Sequence, residues 1–245
     1  MKNTAIIIPS RLAARRFPNK PLVKINNVPM IIHVLNKAIE ARVGEVFVAT
    51  PDVEIFNIVN NNGGNGILTK HDHASGSDRI YEVYSKRLKR NTDFLINLQG
   101  DMPNIKPDNI SKLVKLMKNN NCDIGTLASN IKDKSEVTDP NIVKVLTDQT
   151  LKENNFIIAK DFFRTKKDLS NEKIYHHIGL YIFTKDALSR YVKLVRSKLE
   201  IERNLEQMRA IENSMIIKVG LADSIPLSVD TEEDLIKVRK EMEKL

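Results

Sequence analysis

Tryptophan is absent from the 245 residues, cysteine occurs once, and Phe, Trp and Tyr together make up only 5 %. The lone Cys122 excludes an intrachain disulfide and a thiolate metal cluster, so a reduced, cytosolic setting is the plain reading. No apolar run approaches the roughly 20 residues of a membrane-spanning helix. The apolar run at 6–8 is too short for a signal-peptide core, and no small-residue cleavage site follows it. Glycine does not occur before Gly44, which excludes a Walker A loop and a GxGxxG dinucleotide fingerprint near the N-terminus. No Gly-x-Ser-x-Gly elbow and no Ser-His-Asp order appears, so nothing calls for a covalent nucleophile. Repeats and low-complexity tracts are also missing.

What the chain does have is the balance of a soluble globular protein, with 41 % hydrophobic and 29 % charged residues. Its length fits one large α/β domain or a domain with an inserted lobe. The net charge is +8, and its distribution is uneven. Lys2, Arg11, Arg15, Arg16, Lys20, Lys24 and Lys37 precede the first acidic residue, Glu40. Four of these lie between Arg11 and Lys20, directly after an apolar run. Such a cluster suits a compact, highly charged anion such as a triphosphate; an exposed basic loop is the bland alternative. A nucleic-acid face would be a longer stripe with interleaved aromatics, and this segment carries only Phe17.

The pattern of apolar residues predicts strands at 5–8, 45–49, 66–69, 94–98 and 124–128, alternating with helices at 30–41, 52–61, 78–88 and 107–119. Pro29 is suited to begin the first of those helices. This order implies a parallel sheet with helices on both faces, and ligands of such sheets bind beyond the carboxyl ends of the strands. The loops at 10–20, 70–77 and 99–103 all leave carboxyl ends and should converge. Further strands are expected at 142–146, 156–159, 175–183, 216–219 and 226–229, with helices at 198–212 and 231–243. The last helix opens on Thr231 and Asp234, a pair that resembles a capping box. A single domain over 1–245 is expected, with a nucleotide half at 1–129 and a half at 130–245 that completes the sheet and adds a small lobe over the substrate.

With no glycine in the first loop, phosphate must be held by Arg11, Arg16 and Lys20 together with loop N–H groups. Arg grips two oxygens in fixed geometry, whereas Lys acts as a movable point charge. Asp101 lies in a strand-end turn and Asp230 just before the last helix; each has an ordinary reading as a turn or helix-start residue. The functional reading is a pair of hard carboxylates for Mg²⁺, which takes one or two carboxylates plus phosphate oxygens and water. Spacing cannot reveal that pairing. His71 and His73 lack further ligands in the sequence, which argues against zinc. His176 and His177 are neighbours on an expected strand and face opposite sides, so one is a core residue or a site residue.

Several blocks make the chain recognisable. They are Ile6-Ile7-Ile8-Pro9-Ser10-Arg11 with Arg16 and Pro18-Asn19-Lys20-Pro21-Leu22, then Asp72-His73-x-Ser75-Gly76-x-Asp78-Arg79, then Asn97-Leu98-Gln99-Gly100-Asp101. His177-Ile178-Gly179-Leu180-Tyr181, Leu205-Glu206-Gln207-Met208-Arg209 and Val229-Asp230-Thr231 follow in the same order. Together they resemble the CMP-Kdo synthetases, which couple CTP to the acidic sugar 3-deoxy-manno-octulosonate (Kdo) for lipopolysaccharide. The resemblance implies a Rossmann-like nucleotide-diphospho-sugar transferase fold: a mixed α/β sheet flanked by helices, with a small substrate-covering and dimerisation lobe. It also implies a cytoplasmic homodimer that uses Mg²⁺ and binds neither nucleic acid nor membrane. By the same resemblance Arg11, Arg16, Lys20, Ser75, Gly76 and Arg79 match CTP contacts, and Asp101 and Asp230 match metal carboxylates. Gln99, His177, Tyr181, Glu206 and Gln207 match sugar contacts, with Lys160 where many members carry Arg. Lys20, Asp101 and Arg11 are the expected catalytic set. Met102 stands where many members carry Glu. A cytidylyltransferase for a sialic acid or an amino analogue of Kdo is the neighbouring alternative, and a basic nucleic-acid-binding protein the distant one.

Overall fold

The structure is a computed structural model that describes residues 3–13, 17–166 and 172–243. It opens with strand β1 (Thr4–Pro9), a single 3-10 turn (Lys20–Leu22) and the short strands β2 (Lys24–Ile25) and β3 (Val28–Pro29). Next come α1 (Met30–Glu40), β4 (Glu45–Thr50), α2 (Val53–Asn61), β5 (Gly66–Leu68), α3 (Gly76–Val83), β6 (Phe94–Asn97) and α4 (Pro107–Lys118). Then follow β7 (Ile124–Ser129), α5 (Ser135–Thr138), β8 (Lys144–Thr147), β9 (Phe156–Phe163) and β10 (Lys173–Thr184). The chain continues through α6 (Lys185–Tyr191), α7 (Lys198–Arg203), α8 (Gln207–Glu212), β11 (Ile217–Leu221) and α9 (Glu232–Met242). Two compact units result. One takes the chain up to Ser111 and again from Pro226; the other is Lys112–Ile225. The division expected at 129/130 does not coincide with these boundaries, because the segment after Pro226 folds back with the first unit.

In the first unit β1 lies between β4 and β6, parallel to both, and β4 runs parallel to β5. Ile6, Ile7 and Ile8 are completely buried, as befits a strand covered on both faces. α1 buries Ile31, Val34, Leu35 and Ala38, the stripe that the 3.6-residue period places on one side. α3 starts two residues earlier than the periodicity suggests, since Ser75 caps it in a reciprocal capping box with Asp78. Beyond Val83 it widens into a π turn at Tyr84–Leu88.

The β2–β3 hairpin was not foreseen. Ile25 pairs with Val28 across a two-residue turn, and both turn residues, Asn26 and Asn27, have positive φ (48° and 64°). Behind it Ile25, Met30, Val229, Leu235 and Val238 form a buried cluster, with Phe17, Val23, Leu227 and Met242 packed around it. Arg239 adds a hydrogen bond of 2.7 Å to the Lys24 carbonyl. This cluster joins the start of the chain to α9, whose Thr231–Asp234 capping box forms as expected. The strand expected at 226–229 is extended but joins no ladder. Its N–H groups instead reach the loop after β6: Leu227 donates to Asn104 Oδ1 and Val229 to the Asp101 carbonyl, each at 2.9 Å.

In the second unit β10 is antiparallel to β7 and β8, β11 is parallel to β7 and antiparallel to β9, and β9 is antiparallel to β8. The ladder therefore closes on itself. β10 bulges between Ile178 and Tyr181 opposite Thr126, and the Thr126 hydroxyl lies 3.1 Å and 2.8 Å from the carbonyls of Ile178 and Leu180 that the bulge turns inward. The helix expected over 198–212 is two helices, because Asn204 takes the left-handed conformation (φ 52°) and ends α7. Glu200 still ties the pair together: buried in α7, it accepts two hydrogen bonds from Arg209 of α8, at 2.8 Å and 2.6 Å.

Lys144 is fully buried, and its ammonium donates to the carbonyls of Asp139 (2.7 Å), Ile142 (3.0 Å) and Arg164. It acts as an internal cation that ties the segment 139–142 to Arg164, just beyond β9. Replacing it with an isosteric apolar side chain leaves those carbonyls without this donor. Lys144→Met is expected to lose at least ~3 kcal/mol of unfolding free energy in urea titration, at about 1 kcal/mol or more per lost hydrogen bond. A loss below ~1 kcal/mol would show that other donors satisfy those carbonyls.

Candidate active site

The loop that leaves β1 is fixed at both ends by backbone bonds. Ser10 N–H donates to the Ala49 carbonyl at 2.9 Å, and Asn19 N–H to that of Leu12 at 3.2 Å. Between them Leu12 N–H donates to Asp52 Oδ2 at 2.8 Å. Asp52 stands at the carboxyl end of β4, so one strand end positions the basic loop of its neighbour. Arg11 is exposed on this loop. Arg16, expected to hold phosphate, lies outside the described residues.

Lys20 turns inward. Its Nζ lies 2.8 Å from Asp101 Oδ2 and 3.3 Å from Asp230 Oδ1, with only 15 % of the side chain exposed. The two aspartates, far apart in sequence, are brought together by the Val229–Asp101 backbone bond, while Asp230 N–H donates to Asp234 Oδ2 at 3.1 Å and so is seated on the start of α9. Burial alone would lower the pKa of Lys20; Asp101 and then Asp230 outweigh it, and the pKa is raised above its ordinary value. Two carboxylates within reach of one cation form a hard-oxygen donor pair. Among the described residues no group of three or more His, Cys, Asp or Glu gathers as a metal cluster. A pair completed by phosphate oxygens is the set that Mg²⁺ accepts, so Asp101 and Asp230 fit that ion.

The 70–77 loop is held from below by α3. Arg79 is buried, and its Nη1 donates to Thr69 Oγ1 and, at 2.9 Å, to the Lys70 carbonyl. One turn on, Glu82 accepts from Lys70 N–H (3.0 Å), His73 Nε2 (2.5 Å) and Lys86 Nζ (2.5 Å). Burial works against the Glu82 carboxylate, but the bonds from Lys86, His73 and Lys70 prevail and hold its pKa down at about 2. His73 is thus a loop anchor. Ser75 is occupied in capping: its hydroxyl donates to Asp78 Oδ2 at 2.8 Å and accepts from Asp78 N–H at 3.2 Å. A Cβ at Gly76 would meet the Pro9 ring at 3.4 Å, an ordinary van der Waals contact, so α3 starts beside the end of β1. The pKa of Arg79 is lowered by burial and then by Arg11, which places these two cations in one field. Gln99 Nε2 sits 3.4 Å from Asn97 Oδ1.

The residues matched to a sugar, Gln99 apart, lie in the second unit. His177 is buried beside Thr126, with Nε2 at 3.0 Å from Oγ1. The Thr126 hydroxyl has one proton, and its nearest carbonyl, that of Leu180, takes it. His177 must then donate from Nε2, which leaves Nδ1 as an acceptor. Burial, then the adjacent His176, push its pKa down to about 3, so the ring is neutral. Tyr181 packs 5.4 Å from the His177 ring. Burial, then Tyr191 and Glu206, raise its phenol well above the usual range. The Glu206 carbonyl accepts from the Tyr191 hydroxyl at 2.9 Å, and Gln207 is buried at the start of α8. Lys160 occupies a bulge of β9, is 54 % exposed and faces Asp148 at 4.0 Å.

The first unit thus brings Lys20, Asp101 and Asp230 together and sets Arg11 near Arg79; the second groups His177, Tyr181 and Glu206. Sequence reasoning missed Asp52, Glu82 and Thr126. Asp52 had a visible signal, a carboxylate at a strand end on the expected rim. Glu82 and Thr126 had none, because their value lies in partners that only folding supplies.

A parallel sheet whose carboxyl-end loops gather cations beside a carboxylate pair, without a glycine-rich phosphate loop, suits a nucleotidyltransferase, and the relatives of the chain belong to that class. Solved structures of similar fold include a cytidylyltransferase from Leptospira borgpetersenii (16 % identity, TM-score 0.67, covering 100 % of this chain and 88 % of that one) and a nucleotidyl transferase from Methanothermobacter (12 %, 0.67, 99 % and 98 %). The chain belongs to the cytidylyltransferase family, whose pattern matches residues 5–218. It is 43 % identical to the 3-deoxy-manno-octulosonate cytidylyltransferase of Rhodopseudomonas palustris strain BisB5, over 97 % of this chain and 96 % of the relative. The Brucella anthropi protein of the same name is also 43 % identical, over 96 % and 95 %. The solved structure of CMP:2-keto-3-deoxy-manno-octonic acid synthetase complexed with CTP superposes with a TM-score of 0.90 at 33 % identity, covering 99 % of each chain.

The state of His177 can be read in solution. Unfolded, an ordinary histidine takes a proton near 6.5; folded, His177 resists until about 3. Its contribution to stability is whole above 6.5 and is lost as pH falls toward 3. Across that window the stability advantage of the parent over His177→Gln should shrink by about 1.4 kcal/mol per pH unit, the slope for one proton. A pH-independent difference between the two would mean that the ring is not buried neutral.

Proposed function

We infer that this chain transfers CMP from CTP to the anomeric hydroxyl of 3-deoxy-manno-octulosonate, releasing pyrophosphate. The observation that carries the reading is the meeting of Lys20, Asp101 and Asp230 in a chain whose nearly full-length relatives bear that activity in their names. In this reaction the sugar oxygen bonds to the α-phosphorus and loses its proton, and the bond from that phosphorus to the pyrophosphate oxygen breaks. Chemistry of this kind depends on positioning and charge neutralisation. Arg11, Arg16 and Lys20 are proposed to take up the charge that grows on the leaving pyrophosphate. Ser75, Gly76 and Arg79 present the cytidine loop; Arg79 does so by fixing Thr69 and Lys70. Asp101 and Asp230 are proposed to hold Mg²⁺, which when bound neutralises the phosphates and polarises the α-phosphate.

On the sugar side we place Gln99, His177, Tyr181, Glu206 and Gln207, with His177 Nδ1 as an acceptor for a hydroxyl. Lys160 is available to the sugar carboxylate. Its pairing with Asp148 is long and solvent-exposed, a contact worth at most about 1 kcal/mol. A cytoplasmic homodimer serving lipopolysaccharide synthesis belongs to the same reading. No helix among the described residues is long and apolar enough to cross a membrane.

Pyrophosphate release with CTP, Mg²⁺ and a panel of acidic sugars tests the assignment directly. Turnover should be fastest with CTP and 3-deoxy-manno-octulosonate, and equal rates with all four nucleoside triphosphates would sink it. Asp101→Asn and Asp230→Asn are each expected to lower kcat at least ~100-fold, about 2.7 kcal/mol, because an amide binds Mg²⁺ poorly. Undiminished turnover in excess EDTA would remove the metal from the scheme. Lys160→Ala should raise the KM for sugar and leave that for CTP unchanged; identical sugar kinetics would return Lys160 to the solvent.

A further inference from the structure

Lys20 carries two assignments that cannot hold at once. The sequence places it on the triphosphate, yet in the structure its ammonium sits between Asp101 and Asp230, on one oxygen of each. A divalent cation bound to the same two carboxylates would stand against that ammonium at close range, and two cations held on one carboxylate pair repel. We propose that Lys20 is a placeholder: it fills the cation position of the nucleotide-free protein and yields it only when a triphosphate arrives to receive its charge. The proposal rests on reading Asp101 and Asp230 as metal carboxylates.

Three features fit this role. The group is a lysine, a compact point charge on a flexible stem, where an arginine would be committed by its planar fork. Its neighbours give it a reason to stay: the side chain is 15 % exposed and its ammonium meets two carboxylates, so leaving them for water costs a charge-assisted bond to each. Its place in the chain gives it somewhere to go, since Lys20 heads the 3-10 turn that follows the basic loop. Without nucleotide, a metal ion must expel Lys20 to solvent. With nucleotide, the ammonium exchanges carboxylate oxygens for phosphate oxygens at little cost. Metal and triphosphate then favour each other's binding by the same factor, as linkage requires. With Lys20 in place the carboxylate pair is also closed to stray divalent ions, so the cation enters as a complex with the triphosphate.

Mn²⁺ serves as the probe, with protein-bound ion measured by equilibrium dialysis and electron paramagnetic resonance. Parent, Lys20→Met and Asp101→Asn full-length proteins are compared with and without CTP, and without sugar. The parent should bind Mn²⁺ weakly alone and tightly with CTP. Lys20→Met should bind nucleotide-free Mn²⁺ at least roughly tenfold more tightly than the parent, the gain expected if Lys20 holds the position nine-tenths of the time. Its melting temperature should fall in EDTA and recover with Mn²⁺, while that of the nucleotide-free parent ignores the ion. If Lys20→Met does not fold, Lys20→Gln keeps a donor without the charge and carries the same expectation. Asp101→Asn should lose Mn²⁺ in the CTP complex. Should Asp101→Asn lose it while Lys20→Met binds free Mn²⁺ no better than the parent, the metal pair stands and the placeholder is overturned. Should Asp101→Asn retain the ion with CTP as the parent does, the metal reading itself fails and takes the placeholder with it.

Discussion

Two carboxylates brought close together in a partly buried site repel, and the repulsion is relieved by losing a charge or gaining a cation. Lys20 supplies the cation, and much of the first unit exists to make that meeting possible. The loop after β1 brings the ammonium, the turn after β6 brings Asp101, and the stretch before α9 brings Asp230. None of the three holds its place by its own local structure. The Asn-Asn hairpin and the apolar cluster of Ile25, Met30, Val229, Leu235 and Val238 press the chain's two distant segments together. The bond from Val229 to the Asp101 carbonyl then sets the register between the carboxylates.

Around this centre the loops are fixed by wholly or partly buried polar side chains. Asp52 holds Leu12, Arg79 holds Thr69 and Lys70, and Glu82 gathers Lys70, His73 and Lys86. In the second unit Lys144, Thr126 and Glu200 do the same for the segment before β8, a bulge and a broken helix. A buried polar group is costly alone and rigidifying when fully bonded. These groups leave the exposed Arg11 able to face a ligand.

How much of this the sequence disclosed follows from the range of the interactions. β1, β4, β6, α1 and α4 depend on apolar periodicity within a short window, and their existence and order were legible. The convergence of three loops beyond the strand ends followed from topology alone. Where side chains at long range decide, the reading failed. The stretch 226–229 has the composition of a strand, but its hydrogen bonds go to Asn104 and Asp101 instead of a ladder. The expected helix at 198–212 breaks because Asn204 adopts positive φ, and no periodicity records that. The Asn26-Asn27 turn had a local signature and was overlooked. Site residues divide in the same way: Lys20, Asp101 and Asp230 were named by chemistry and resemblance, yet that Lys20 joins the other two is visible only in three dimensions.

The first unit is discontinuous in the chain, and that bears on how the protein is born. A ribosome makes Lys20 and Asp101 early, then the whole second unit, and only afterwards Asp230 and α9. At about 5–20 residues per second, a nascent chain therefore passes several seconds with the cluster around Ile25 unfilled. An unfinished chain lacks both a carboxylate of the proposed metal pair and half of the packing that closes the site. Truncated products should consequently be incomplete in fold and in chemistry together.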